Sequence, residues 1–134
     1  MSAGYSGTPL YKKLSLKPGL RLLSVGMPAE VRREIEASGD GVVWVERSRP
    51  FDAAHIFAIR LAELRKGLTR VRKALPPAGF VWASWPKKSS GVDSDITEDE
   101  VREIAFALKL VDVKVCAVSD VWSGLKLVIR VKDR

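Results

Sequence analysis

The sequence predicts a single α/β domain with three layers, in which helices cover both faces of a mostly parallel sheet. Short apolar runs alternate along the chain with segments whose apolar residues recur at helical spacing, and this alternation is typical of βαβ units. The 134 residues, 46% hydrophobic and 29% charged, suit one globular domain with one core. The last two strands, predicted near 110–118 and 124–132, are expected to form an antiparallel hairpin.

The first regular elements are a short helix and a strand. Threonine caps helices and proline is favoured at their first position, so a helix is predicted over Pro9 to Leu14 with Thr8 as its N-cap. The run from Leu20 to Val25 is largely apolar and stops at Gly26, as expected of a buried parallel strand.

A second helix and two further strands follow. Pro28 suits the first position of a helix that Gly39 ends, and strands are predicted over Val42 to Val45 and over Phe51 to Ile59. Because Glu46 to Pro50 joins these two strands without a helix, they are not expected to be immediate parallel neighbours.

The second half of the chain contains the clearest helical pattern. Its apolar residues recur three or four positions apart: Leu61, Leu64, Leu68, Val71 and Leu75. Phe80 to Trp85 forms the fourth strand, and Thr97 with Glu100 has the form of a capping box that opens the last helix. Ser119 to Ser123 is the predicted turn of the hairpin.

Several classes of protein are excluded by the composition. No apolar run approaches the roughly 20 residues of a membrane span, and Met1 to Leu10 lacks the order of a secretion signal, so a cytoplasmic location is expected. The single cysteine, Cys116, excludes an intramolecular disulfide and lies in an apolar run, which predicts a buried, unreactive thiol. With one Cys and one His, no metal site is expected.

The net charge of +7 is unevenly distributed. Residues 1–90 carry 16 Lys and Arg against 7 Asp and Glu, whereas residues 91–134 carry 7 against 9. The first part, at +9, could attract nucleic acid, a nucleotide or an acidic protein, or could simply form solvated basic faces.

The order of elements resembles that of class I S-adenosylmethionine methyltransferases. The resemblance rests on the strand that ends at Gly26, on Phe51-Asp52 opening a strand, on Leu75 to Gly79 before Trp82-Ala83-Ser84, and on the terminal hairpin. It implies a Rossmann-like three-layer αβα sandwich, shortened by the loss of one strand and one helix between Glu46 and Pro50.

Over nearly its whole length the chain also resembles small bacterial proteins grouped as domain of unknown function family 3052. The similar stretches are Gly4 to Leu10, Trp85 to Lys88 and Trp122 to Lys126. This resemblance implies the fold and carries no activity, cofactor or partner with it.

Ligands of a mostly parallel sheet bind beyond the carboxyl ends of its strands. The residues expected at that edge are Gly26, Glu46, Arg60, Trp85, Lys87, Lys88, Trp122 and Ser123. Trp85, Lys87, Lys88 and Trp122 are expected to converge. Lys87 and Lys88 could clamp a phosphate or belong to a solvated loop, and Trp122 with Ser123 could form a ligand lid or a simple turn.

Gly26, Glu46 and Trp85 are the candidates for binding S-adenosylmethionine. The methyltransferase resemblance implies that Glu46 stands where such enzymes hold the ribose hydroxyls. Against a working cofactor site, Met27 and Pro28 occupy a loop in which several glycines normally permit close backbone approach, and Pro28 has no amide donor.

The remaining candidates have structural alternatives. The hydroxyls of Tyr5, Ser6 and Thr8 could bind an anion, or the segment could be a packing arm. His55 has no recognisable Ser, Cys or Asp partner and is predicted to be a packed core residue, as are Trp44 and Trp82 within their strands.

Three functions remain open. The favoured one is a non-catalytic binding or regulatory module whose cofactor pocket has degenerated and whose basic surface meets an acidic ligand or protein. The alternatives are a small transferase that binds S-adenosylmethionine or another nucleotide, and a nucleic-acid-binding protein. The sequence does not decide among them.

Overall fold

A computed structural model describes residues 7–134 of the chain. The helices are α1 (Leu10–Lys13), α2 (Ala29–Ser38), α3 (Leu61–Ala74) and α4 (Glu98–Ala107). The strands are β1 (Arg21–Val25), β2 (Val43–Val45), β3 (Ala53–Phe57), β4 (Phe80–Pro86), β5 (Leu110–Ala117) and β6 (Trp122–Ile129). Short 3-10 turns occur at Lys88–Ser90 and Val131–Asp133. No helix in this part of the chain is long and apolar enough to span a membrane.

The six strands form one sheet in the order β2-β1-β3-β4-β6-β5. β1 pairs in parallel with both β2 and β3, and β3 pairs in parallel with β4. β6 is antiparallel to β4 and β5. β1 therefore lies between β2 and β3, which confirms that these directly connected strands are not neighbours. The sheet has the predicted shortened, Rossmann-like arrangement with its C-terminal antiparallel hairpin.

Each face of the sheet packs against its own pair of helices. One apolar core joins α1 and α2 to the sheet and contains Leu14, Ile35 and Trp82; we call it the α1/α2 core. The other joins α3 and α4 to the sheet and contains Leu64, Ile104 and many strand residues; we call it the α3/α4 core. These two cores complete the three-layer sandwich that the alternation of elements predicts.

Two tryptophans in the strands differ from one another in burial. Trp82 is fully buried, as predicted, and its Nε1 donates a 3.0 Å hydrogen bond to the carbonyl of Leu14, which ties the end of α1 to the sheet. Trp44 is only half-buried, because β2 is the edge strand of the sheet.

The helix starts follow the predictions in part. The Thr97 hydroxyl caps α4 by accepting a hydrogen bond from the Glu100 amide, as the capping box predicts. The prediction that Thr8 caps α1 is wrong. The N-cap of α1 is Pro9, whose carbonyl accepts from Lys12 and Lys13, and Thr8 is exposed. Since the cap is itself a proline, α1 starts without a side-chain cap.

Candidate functional site

The carboxyl ends of β1 to β4 lie along one edge of the sheet, where a ligand of such a fold is expected. At β1 and β2 this edge opens into a groove of about 530 Å³. Its walls are Leu23 to Gly26 at the end of β1, Trp44 to Arg47 at the end of β2, and Arg32 from α2. We call this cavity the β1/β2 groove.

The loop after β4 occupies the neighbouring part of the edge. Its Asp93 forms a 2.9 Å ion pair with Arg60, and its Asp95 carboxylate accepts a 2.7 Å hydrogen bond from the Leu61 amide at the start of α3. The chain's own carboxylate thus takes the place at the α3 N-terminus where a helix would otherwise attract an anionic ligand. This segment is a tethered loop, and the open part of the edge is at β1 and β2.

Gly26 is required by the packing of the strands. Its φ is +69°, a left-handed conformation, and a Cβ atom there would lie 2.8 Å from the carbonyl oxygen of Phe57. The glycine is explained by this contact with the end of β3, whether or not a ligand approaches it.

The loop after Gly26 is short. Pro28, predicted as the first residue of α2, is instead its N-cap, and the helix begins one position later at Ala29. Because proline has no amide N–H, this helix start offers one donor fewer to a ligand.

The β1/β2 groove has two cations and one anion on its walls. The Arg32 guanidinium lies 4.2 Å from the centre of the Trp44 ring, and its 3.7 Å ion pair with Glu36 is long. Arg47 and Glu46 are exposed and follow β2 directly. The groove therefore combines an aromatic wall, two guanidinium groups and a carboxylate in a space that suits an anionic ligand.

The structure does not bring Trp85 together with Gly26 and Glu46. Trp85 is 6% exposed and belongs to the α3/α4 core. Trp122 lies on the opposite face, where its ring meets that of Phe57 edge-on at 5.1 Å between centroids. The expected convergence of the two tryptophans is therefore wrong, because alternate strand positions point to opposite faces of the sheet.

Lys87 and Lys88 lie beyond β4, beside the hairpin. The Lys87 amide donates to the Val121 carbonyl, and the Lys87 carbonyl accepts from the Ser90 hydroxyl. Lys87 is half-buried and Lys88 is exposed, and neither lines the β1/β2 groove. Ser123 pairs with Trp85 across the sheet.

Two further expectations concern the N-terminal arm and the cysteine. Thr8 is exposed, whereas Tyr5 and Ser6 lie outside the described residues. Cys116 is half-buried against the α1/α2 core, and burial raises the pKa of its thiol, an effect that nearby lysines partly oppose. A thiol with a raised pKa is a weak nucleophile, which agrees with the predicted unreactive cysteine.

His55 has a partner that the sequence did not reveal. Its Nε2 lies 2.7 Å from the Ser84 hydroxyl, and its ring stacks on Phe57 at 4.2 Å. Both polar residues are buried, and burial lowers the pKa of His55 to about 3. The prediction of a packed core histidine is confirmed and that of a missing partner is wrong. The two residues are 29 positions apart in the chain, which explains why no local motif showed the pair.

No family model matches the chain, and no curated protein matches it. Solved structures are similar in fold. Precorrin-6y C5,15-methyltransferase from Geobacter metallireducens has a TM-score of 0.60 and 11% identity, over 90% of this chain and 86% of that one.

Two other methyltransferase-fold structures contain S-adenosylhomocysteine. Magnesium protoporphyrin IX methyltransferase from Synechocystis has a TM-score of 0.55 and 11% identity, over 84% of this chain and 75% of that one. The complex of DhpI with S-adenosylhomocysteine has a TM-score of 0.58 and 13% identity, over 90% of this chain and 83% of that one. At these identities the likeness shows the fold: the chain has the fold of class I S-adenosylmethionine methyltransferases, in shortened form.

Proposed function

We propose that the protein is a non-catalytic binding or regulatory module that holds an acidic ligand in the β1/β2 groove. The observation that supports this most directly is the charge of the groove, where Arg32 and Arg47 outnumber Glu46. A nucleoside phosphate is the class of ligand that would use all of these groups. Its phosphates would pair with the guanidinium groups and its ribose hydroxyls would donate to Glu46.

The same charges disfavour the binding of S-adenosylmethionine in this groove. Its sulfonium and ammonium groups outweigh its single carboxylate, so it would carry net positive charge into a groove that is already cationic. The short loop from Gly26 to Pro28 adds to this, because its proline lacks a donor and its glycine is needed for packing against Phe57. These features favour a domain that keeps the fold and has lost the transfer reaction.

The proposal is tested by thermal-shift and calorimetric titration with ADP, S-adenosylmethionine, S-adenosylhomocysteine and a polyglutamate peptide. A ligand that binds only the native state raises the melting temperature by mass action. ADP or the peptide is expected to raise it, and Arg47→Gln is expected to weaken that binding roughly tenfold, as for the loss of one charge-assisted hydrogen bond. Arg70→Gln, a substitution of an exposed residue on α3, is the matched control and should leave the binding of these ligands unchanged.

A cofactor-binding transferase remains the second candidate, because Glu46 follows β2 and lines the groove beside the β1 backbone. It predicts saturable binding of S-adenosylhomocysteine that Glu46→Ala abolishes and Arg47→Gln leaves intact. That result, with no response to ADP or the peptide, would replace the proposal. A short duplex DNA serves as a third probe, since a nucleic-acid binder would bind it with an affinity that falls steeply with salt.

A further inference from the structure

A second cavity lies at the opposite end of the sheet. It encloses about 630 Å³ between the turn after α1, the loop after α3 and strand β6. The amino ends of β1, β3 and β4 lie there, whereas the β1/β2 groove opens at the carboxyl ends of β1 and β2. We call this cavity the amino-end pocket.

The apolar walls of the amino-end pocket are already formed. Leu20 is buried and Phe80 is half-buried, and Pro18, Pro76 and Ala78 complete a surface with no charge of its own. Gly79 is fixed by its surroundings, because a Cβ atom there would lie 2.7 Å from the Asp52 carbonyl oxygen. A cavity with such walls suits the flat apolar body of a small organic molecule.

One ammonium group is held at the wall of this cavity. Lys126 Nζ donates a 2.9 Å hydrogen bond to the Ser15 hydroxyl and lies 4.6 Å from the centre of the Phe80 ring. Ser15 has a φ of +63°, a conformation that non-glycine residues seldom adopt, and this places its hydroxyl against the lysine. One of the three N–H groups of Lys126 is used by Ser15, which leaves donors for a ligand.

The single acid of the pocket is already neutralised. Both oxygens of Asp52 accept hydrogen bonds from Arg21, at 3.1 and 2.9 Å from the guanidinium and 2.8 Å from the backbone amide. Within residues 7–134, Lys17 and Lys126 form no ion pair with a carboxylate. Lys17 also attracts Asp52 through space, but Arg21 balances that carboxylate, so Lys17 and Lys126 give the pocket a net positive charge.

We propose that the amino-end pocket is a second binding site, which takes a small organic anion with a planar apolar body and a carboxylate or phosphate head. Lys126 and Lys17 bind the head, and the apolar body packs against Phe80 and Leu20. Burial and the neighbouring Lys114 lower the pKa of Lys126, and the attraction of an anion beside this ammonium would offset both unfavourable effects.

The experiment is a titration of the 15N-labelled protein with phenyl phosphate, benzoate and inorganic phosphate, followed through backbone amide resonances. The amides of Gly19 and Gly79 report on the amino-end pocket, and those of Gly26 and Arg47 report on the β1/β2 groove. Phenyl phosphate or benzoate is expected to shift Gly19 and Gly79 saturably. Inorganic phosphate should bind at least about tenfold more weakly, because it lacks the apolar body.

Variants separate a specific site from general attraction of anions. Lys126→Gln is expected to weaken binding about tenfold or more, and Lys126→Arg to retain most of it, since the charge-assisted hydrogen bond is kept. Lys17→Gln, in an exposed turn, provides a second test that does not depend on a half-buried position. Lys88→Gln, which removes an exposed lysine far from the pocket lining, is the matched control.

Saturable shifts at Gly19 and Gly79 that both Lys126→Gln and Lys17→Gln weaken would establish the site. Shifts that stay linear with concentration, that appear only at Gly26 and Arg47, or that persist unchanged in both lysine variants would overturn it.

Discussion

The imidazole of His55 on β3 and the hydroxyl of Ser84 on β4 form a 2.7 Å hydrogen bond within the core of the sheet. Neighbouring parallel strands place the two side chains on the same face, where Phe57 and Trp82 surround the histidine. The ring is therefore neutral in the folded protein, because a charged imidazole would lie in an apolar environment with its pKa lowered to about 3.

Stability should fall with acid below neutral pH because of His55. Its pKa is about 3 in the folded protein and near 6.5 in the unfolded chain, so between these values the unfolded state binds one more proton. The stability that the neutral His55 ring contributes is fully present above pH 6.5. It is lost as the pH falls toward 3, and the free energy of unfolding then decreases by about 1.4 kcal/mol per pH unit. Urea denaturation between pH 4.5 and 6.5 measures the slope.

The variant His55→Gln supplies the control for this prediction. It is expected to be less stable at pH 7 and to lose most of the slope in that range. Asp52, whose pKa Arg21 lowers to about 2, affects stability mainly below about pH 5, so it contributes little to the slope above that pH. An unchanged slope in His55→Gln would assign the acid sensitivity to other groups.

Removing the Ser84 hydroxyl should destabilise the protein by about 1–3 kcal/mol, the usual cost of leaving a buried polar partner without its hydrogen bond. Ser84→Ala tests this with little change in volume. If the hydrogen bond accounts for this loss, the double mutant with His55→Gln will lose less stability than the sum of the losses in the two single mutants. Additive losses would show that the two residues stabilise the sheet independently.

Gly26→Ala should destabilise the protein more than Gly91→Ala. Both glycines have φ near +70 to +80°, but a Cβ atom at Gly26 would meet the Phe57 carbonyl at 2.8 Å and one at Gly91 would meet nothing within 4 Å. Gly91→Ala is expected to show only the left-handed strain, about 1–2 kcal/mol, and Gly26→Ala that strain plus the clash. Equal losses, measured by thermal denaturation, would mean that Phe57 moves aside without cost.

Thr97→Ala should lower stability by about 1 kcal/mol, because it removes the side-chain cap of α4. Thr8→Ala is the matched control: Thr8 is exposed and precedes the N-cap of α1, so its substitution should leave the free energy of unfolding unchanged. The pair is compared by urea denaturation. A loss of similar size at Thr8 would show that this threonine supports α1 by a contact other than a cap.

The elements of the fold were largely predictable from local patterns. The helical spacing of Leu64, Leu68 and Val71 places α3, and the Thr97 capping box places the start of α4. The connection without a helix after Glu46 predicted correctly that β2 and β3 would not be immediate neighbours, and the structure places β1 between them. Periodicity, caps and connection lengths operate within a few residues of each other, which is why one sequence is enough to recognise them.

The sites depended on residues that are distant in the chain. Strand alternation sends Trp85 and Trp122 to opposite faces, although both lie near the same edge of the sheet. Asp93 meets Arg60, Ser84 meets His55 and Ser15 meets Lys126 across separations of 33, 29 and 111 residues. No local spacing encodes these contacts.

The sequence by itself therefore determined the class of fold, its order of helices and strands and its excess of positive charge. The tertiary structure alone decided which charges meet. Folding leaves Arg32 and Arg47 beside the opening at β1 and β2, ties Asp95 to the start of α3, and places Lys126 at the other end of the sheet. The physical reason is that secondary structure follows from short-range backbone preferences, whereas a binding site requires side chains from separate strands to converge through packing of the whole core.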